Sequence, residues 1–153
     1  MYVANSASNS ISVYAPGASG DVAPLRVISG PNTGISNPWS VALDAAGRVY
    51  VANSDSITVY APGVGGPPGS PTANAAPIRA ISGFSARVWG PIGLALDAAG
   101  YLYVSNATAN SITVYAPGSG GPLGSSAANV APIRTISGPR TGLSLPYLIF
   151  LRP

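Results

Sequence analysis

The segment SITVYAPG at residues 56–63, with the YVANS at 50–54 that precedes it, occurs three times in this chain. The first copy is YVANS at 2–6 with SISVYAPG at 10–17, and the third is YVSNA at 103–107 with SITVYAPG at 111–118. Such repetition indicates one supersecondary unit copied along the chain. The repeat equivalents span about 1–49, 50–102 and 103–153, within a single domain covering residues 1–153.

Each repeat predicts four short strands, which we name A to D. The residue types are β-branched and aromatic, and Pro, Gly and Asn bound each run. Strand A is predicted at 41–43 and 94–96, strand B at 2–5, 50–53 and 103–106, strand C at 11–14, 57–60 and 112–115, and strand D within 23–30, 76–83 and 131–138.

The turn from A to B is Asp-Ala-Ala-Gly, beginning at Asp44 and Asp97. An Asp side chain can accept hydrogen bonds from the turn backbone, and Gly supplies a positive φ. The D to A connection is constant in length, with eight positions from Gly30 to Pro38, from Gly83 to Pro91 and from Gly138 to Pro146, whereas the B to C and C to D loops vary. We therefore expect antiparallel four-stranded units with variable surface loops.

Composition excludes several kinds of chemistry. The chain has no cysteine and no histidine, so it offers no thiolate and no imidazole for catalysis or metal binding. Seven arginines and four aspartates leave a net charge of +3 without a basic cluster, which does not favour nucleic acid. There is no apolar run long enough to cross a membrane and no recognisable signal peptide.

The segment GLALDAAGYLYVSN at 93–106, with the SITVYAPG that follows, resembles the NHL-type and YVTN-type repeats of bacterial β-propellers. The resemblance extends over essentially the whole chain and implies an all-β propeller of four-stranded antiparallel blades, three per chain. It favours a bacterial extracytoplasmic setting. NHL-like propellers include binding, scaffolding and enzymatic members, so the fold does not name the function.

The strand order at the two ends predicts how the ring closes. The chain reads B-C-D, A-B-C-D, A-B-C-D, and then PYLIFL at 146–151, which aligns with PWSVAL at 38–43 as a strand A. Three blades are too few for a ring. We expect a homodimer in which two chains close one six-bladed ring, each giving its last strand A to the split blade of the other. The alternative is a fragment of a longer propeller.

The resemblance implies that strand A lines a central channel, with the B to C and D to A loops at one mouth. Aromatic rings, amides, guanidinium groups and a carboxylate at this mouth suit a carbohydrate or protein ligand. The candidate residues are Asn53, Asp55, Asn106, Asn110, Trp39, Arg87, Trp89 and Tyr147, with Asn5, Asn9 and Arg140 nearby. Against this, each Asn can simply serve a turn, and each Trp can pack between blades.

Two functions follow as hypotheses. The first is a non-catalytic scaffold or binding module without cofactor or metal, which does not bind nucleic acid or a membrane. The second is a metal-dependent enzyme resembling propeller lactonases or lyases, for which only Asp55 among the aspartates lies at the candidate mouth. The arginines of strand D, at 26, 79 and 134, are expected to keep an exposed sheet edge soluble.

Overall fold

The computed structural model describes residues 1–152, which form eleven β-strands in three antiparallel sheets. Five short 3-10 turns lie in the connections, and within residues 1–152 no helical segment has the length and hydrophobicity of a membrane span. The strands are β1 Tyr2–Asn5, β2 Ser10–Val13, β3 Arg26–Ser29, β4 Ser40–Leu43, β5 Val49–Ala52, β6 Ser56–Tyr60, β7 Arg79–Ser82, β8 Pro91–Leu96, β9 Leu102–Asn106, β10 Ser111–Tyr115 and β11 Arg134–Ile136.

The sheets reproduce the predicted order of strands. The second sheet runs β4-β5-β6-β7 and the third runs β8-β9-β10-β11, so each is a complete A-B-C-D unit. The first sheet, β1-β2-β3, contains strands B, C and D. The registers are equivalent as well, since Val41 lies opposite Val51 in the second sheet and Leu94 lies opposite Val104 in the third. The all-β, multi-sheet prediction is confirmed.

The hydrophobic core lies between consecutive sheets. One cluster joins Ile11 and Ile28 of the first sheet to Val49, Val51 and Tyr60 of the second. A second cluster joins the other face of the second sheet to the third, and it includes Tyr50, Ile57, Ile81, Leu102 and Tyr115. The middle sheet is therefore covered on both faces, which is why its strands β5 and β6 are buried along their whole length.

Two long C to D loops act as straps, a name we use for residues 61–76 and 116–131. Each strap pairs with the D strand of the preceding sheet through one antiparallel bridge, Val27 with Gly66 and Ala80 with Gly121. Each strap also carries an Asn whose Oδ1 accepts from the preceding D to A connection, as Asn74 does from the Asn32 N–H at 2.8 Å. The straps tie neighbouring sheets together at their outer edge.

The straps correct the expectation for the strand D arginines. The outer edges of β3 and β7 are not open, because the straps pair with them. Arg26 is half-buried and its Nη1 donates to the Gly63 carbonyl at 2.6 Å, while the Nε of Arg79 is buried without a partner among the described residues. Only Arg134 is exposed, and its guanidinium lies 5.8 Å from the centre of the Tyr103 ring.

The segment 146–151 does not form the predicted strand A in this structure. A strand needs a neighbour with unpaired backbone groups, and within residues 1–152 no strand pairs with this segment. Its backbone lies beside the third sheet without forming a ladder, and the Tyr147 carbonyl accepts a hydrogen bond from Ser105 Oγ in β9.

Two equivalent buried tyrosines make the stability of the fold depend on pH in the alkaline range. Tyr60 and Tyr115 are fully buried, and their hydroxyls donate to the carbonyls of Thr33 and Ala86 in the preceding D to A connections. Burial raises the pKa of each tyrosine to about 12. In the unfolded chain the pKa of tyrosine is about 10, so the unfolded chain loses these protons at a lower pH than the folded chain. Ionisation therefore favours unfolding as the pH rises.

We expect the free energy of unfolding to fall between about pH 10 and pH 12, by on the order of 2 kcal/mol per tyrosine. Urea unfolding at a series of pH values measures it. The double variant Tyr60→Phe/Tyr115→Phe should be less stable at neutral pH by about 1 kcal/mol per lost hydrogen bond and should show a flatter alkaline profile. An unchanged alkaline slope in that variant would assign the loss of stability to other groups.

The strap contact can be tested with two glycines in the same strap. Gly65 has φ +96°, and a Cβ there would lie 2.6 Å from the Val27 carbonyl oxygen, whereas Gly69 has φ +78° and open space around it. Gly69→Ala should cost about 1 kcal/mol from the left-handed backbone alone. Gly65→Ala should cost about 2 to 3 kcal/mol more in urea unfolding, because the strap must move away from β3. Equal costs for the two variants would mean that the close approach does not contribute.

Candidate functional site

The B to C and D to A connections come together at one end of the sheets, which we call the loop face. Side chains of the B to C loops hold the D to A connections in place. Asn37 N–H donates to Asn9 Oδ1 at 2.6 Å, and Leu145 N–H donates to Asn110 Oδ1 at 2.7 Å. The loop face is thus built from hydrogen bonds between a sheet and the connection that follows it.

Asn53 and Asn106 are buried inside this arrangement. The Oδ1 of Asn53 accepts from Ser36 N–H at 3.1 Å, and its Nδ2 donates to Thr58 Oγ1 at 3.1 Å. Asn106 makes the equivalent bonds to Trp89 N–H and Thr113 Oγ1. Both side chains are fully buried, so they join strand B to the preceding D to A connection and have no surface for contacting a ligand.

Backbone conformation explains several loop residues. Asn9 and Asn110 have φ of +50° and +47°, which Asn tolerates better than most residues. The residue before the proline near the end of each D to A connection also has a positive φ, and it is Asn37, Gly90 and Leu145 in the three connections. Leu145 is the exception in residue type, since a branched apolar side chain disfavours this conformation.

Among the remaining candidates, Trp39, Asp55 and Tyr147 are exposed on the loop face. Asp55 lies in the short B to C loop between β5 and β6, and Trp39 directly precedes β4. Neither of them, nor Tyr147, lines the groove described next.

Arg87 and Trp89 line one groove of about 500 Å³ together with Phe84, Ser85, Pro132 and Thr135. A smaller recess of about 120 Å³ continues from it past Arg87 and Trp89 to Ser111, Thr113 and Ser137. The rings of Phe84 and Trp89 meet edge to face, with centroids 6.3 Å apart. Sequence reasoning therefore identified two residues of this groove. Phe84 was missed, although Pro31 and Pro139 stand at its equivalent positions, which marks it as unusual in the repeat.

The opposite end of the sheets carries the Asp-Ala-Ala-Gly turns. Asp44 Oδ1 accepts from Ala46 N–H at 3.0 Å and Arg48 N–H at 2.9 Å, and Asp97 accepts in the same way from Ala99 and Tyr101. The predicted turn role is confirmed. Burial acts to raise the pKa of Asp44, but hydrogen bonds from the Arg48 side chain and backbone hold that pKa below its ordinary value.

Asp44 and Asp97 also face one shallow depression of about 210 Å³, where Arg48 lies as well. Each carboxylate is engaged by its own turn. In residues 1–152 no three carboxylates or other metal-binding side chains come together.

A comparison of the chain with models of known protein families gives no match, and neither does a comparison with curated proteins. The resemblance to NHL-type repeats therefore rests on the quoted residues alone.

The two roles assigned to polar residues of the loop face predict different costs of mutation. Asn53→Ala and Asn106→Ala each leave a partly buried backbone N–H and a buried threonine hydroxyl without their partner, so each should lower the free energy of unfolding by about 2 kcal/mol. Asp55→Ala, at an exposed position of the same face, should change it by less than about 0.5 kcal/mol. Chemical denaturation measures all three. If the Asn variants were as stable as the Asp55 variant, these side chains would not be structural.

Proposed function

We propose that this chain is a non-catalytic scaffold of the β-propeller type. Two copies close one six-bladed ring and present the loop face to a carbohydrate or protein ligand. The observation that carries this proposal is that residues 146–151 lie against β8 and β9 of the third sheet.

Within the chain, β8 packs beside β4, so consecutive A strands are neighbours. The segment 146–151 lies beside β8 in turn. Ser105 Oγ in β9 donates to the Tyr147 carbonyl, and a Cβ on Gly93 in β8 would lie 3.0 Å from the Leu148 Cα. At its other end, Leu151 and Arg152 line a recess with Leu96 and Asp97, at the A to B turn of the third sheet. These contacts with the third sheet support the assignment of 146–151 as the third strand A of the chain.

The first sheet has the matching open position. The inner edge of β1 has no strand beside it within residues 1–152, whereas β5 and β9 are each paired with a strand A. Asn5 is equivalent to Asn53 and Asn106, and its Nδ2 likewise donates to Ser12 Oγ at 3.0 Å, but no described group donates to its Oδ1. The Tyr14 hydroxyl, equivalent to those of Tyr60 and Tyr115, is also without a partner in the described chain.

The internal repeats specify the missing contacts. Ser36 and Trp89, whose N–H groups reach Asn53 and Asn106, are equivalent to Ser144. The Ser144 N–H of a second copy is therefore the donor for Asn5 Oδ1. Thr33 and Ala86, whose carbonyls accept from the buried tyrosines, are equivalent to Thr141. The Thr141 carbonyl of a second copy would accept from the Tyr14 hydroxyl.

The exposed apolar surface supports the same arrangement. Ile136 of β11 and Phe150 of the last segment are 52% and 87% exposed in the single chain. Their equivalents in the middle sheet, Ile81 and Ala42, pack in or against the buried core. Burying such side chains gives about 25 cal/mol per Å² of apolar area, which favours association in a chain with so few charges.

Engineered cysteines can test the exchange, because the chain has none of its own. Val41 lies opposite Val51 in the second sheet, and the equivalent pair across the exchanged strand is Ile149 and Val3. We expect Val3→Cys/Ile149→Cys to form a covalent dimer on oxidation, seen by non-reducing electrophoresis, and the unmodified chain to have a solution mass of twice 15.2 kDa by analytical ultracentrifugation.

Val41→Cys/Val51→Cys is the matched control, and it should form an intrachain disulfide with the mass of a monomer. Ile149→Asp should abolish the dimer, while Ile78→Asp, at an exposed position, should leave it intact. A stable monomer in which Val3→Cys/Ile149→Cys does not form a disulfide would overturn the two-chain ring and favour a longer propeller that supplies the strand from its own sequence.

A further inference from the structure

We infer that the groove at Phe84, Arg87 and Trp89 is a binding site for a saccharide that carries a carboxylate, such as a uronic acid residue. The inference deepens the proposed function and rests on it, because the two-chain ring decides what else could cover the groove. A closed ring would contain two such grooves, related by its two-fold axis.

The equivalent groove at the first junction between sheets is filled by the protein itself. At Gly34 an added Cβ would lie 2.7 Å from Leu123 Cδ2 and 3.5 Å from Thr58 Cγ2. Leu123 belongs to the strap at 116–131 in the third sheet. This strap therefore closes the junction between the first and second sheets. Gly34 and Thr58 are equivalent to Arg87 and Thr113, which line the recess that continues from the open groove.

In the proposed ring, the strap that would seal the open groove comes from the first sheet of the second copy. That C to D loop runs from β2 to β3 and is seven residues shorter than the other two, counted between its prolines at 16 and 24. It has neither a 3-10 turn nor an equivalent of the strap Asn. We therefore expect the groove to stay open at this junction when the ring is closed.

The chemistry of the groove is that of a carbohydrate site with one positive charge. Trp89 is 44% exposed and Phe84 is 83% exposed, so the edge-to-face pair offers an apolar platform to the C–H face of a sugar ring. Ser111, Thr113, Thr135 and Ser137 surround the adjoining recess, which suits the hydroxyls of a sugar. Concave sites of this composition, with a few polar groups on an apolar lining, are typical of small-ligand binding.

Arg87 supplies the charge preference. Its guanidinium makes no hydrogen bond or ion pair among the described residues, where Arg48 with Asp44 is the one salt bridge. Its backbone has φ +54°, which fixes where the side chain leaves the loop. A guanidinium donates two parallel hydrogen bonds to a carboxylate, so a sugar with a carboxylate gains a charged contact that a neutral sugar lacks.

The experiment measures binding of the full chain to oligogalacturonate, with maltooligosaccharide of the same length as the neutral comparison. The Trp39→Phe variant leaves Trp89 as the single tryptophan, so its fluorescence reports the groove directly. We expect the emission to change with oligogalacturonate and the affinity to fall about tenfold or more in Arg87→Gln and in Trp89→Phe/Phe84→Ala by isothermal calorimetry. Affinity should also fall as salt is added.

Arg140→Gln and Trp39→Ala are the matched controls, because both residues are exposed on the loop face and neither lines the groove. Their affinities should stay within about twofold of the unmodified chain. Equal binding of the neutral sugar, binding unaffected by Arg87→Gln, or binding of poly-aspartate but not of oligogalacturonate would overturn the inference. A covalent Val3→Cys/Ile149→Cys dimer that binds no uronate would overturn this inference alone, whereas a monomer that binds uronate would overturn only the ring.

Discussion

Each sheet of this protein has two apolar faces, and that constraint determines the rest of the structure. A sheet of four short strands cannot shield both faces by itself, so its stability comes from the sheets before and after it. The middle sheet meets this requirement fully, with Tyr50 and Ile57 in one cluster and Val49 and Tyr60 in the other. The outer sheets each meet it on one face only. The buried tyrosine and asparagine side chains fix the position of each sheet relative to the preceding D to A connection, because each forms a hydrogen bond with a backbone group of that connection.

The repeated strands were predictable because their evidence is local. Alternating β-branched and aromatic residues, a Pro-Gly stop and the Asp-Ala-Ala-Gly turn all act over a few residues, and ten strands fall at the predicted places, within a residue or two at most ends. The eleventh, β8, is longer than predicted and begins at Pro91, with a bulge that moves the register between Pro91 and Gly93. The strand predicted at 146–151 does not form in the single chain, where no other strand pairs with it.

The straps and the groove depend on contacts that are distant in sequence. From the sequence, residues 61–76 and 116–131 are predicted to be loops rich in Gly, Pro and Ser. Both contain a pair of glycines, at 65–66 and 120–121, where the backbone approaches β3 and β7. For Asn53 and Asn106, the residue type was clear from the sequence but the direction of the side chain was not. An Asn at the end of a strand can point into a loop or into solvent, and only the packing of the preceding connection shows that both point inward. Arg87 and Trp89 were identified correctly as surface residues, but the residue that completes their groove, Phe84, could be found only by comparing repeats.

Uneven coverage of the sheets also sets where the folded chain opens first. Strands β5 and β6 are buried throughout, whereas all three residues of β11 are exposed and no strap lies over them in the single chain. Amide protons are protected according to the free energy of the local opening that exposes them, so protection should decline from the middle sheet towards β11. Fraying would then begin at β11, the last strand before residues 146–151. The sheet with the least covering would therefore be the first to exchange its amide protons with solvent.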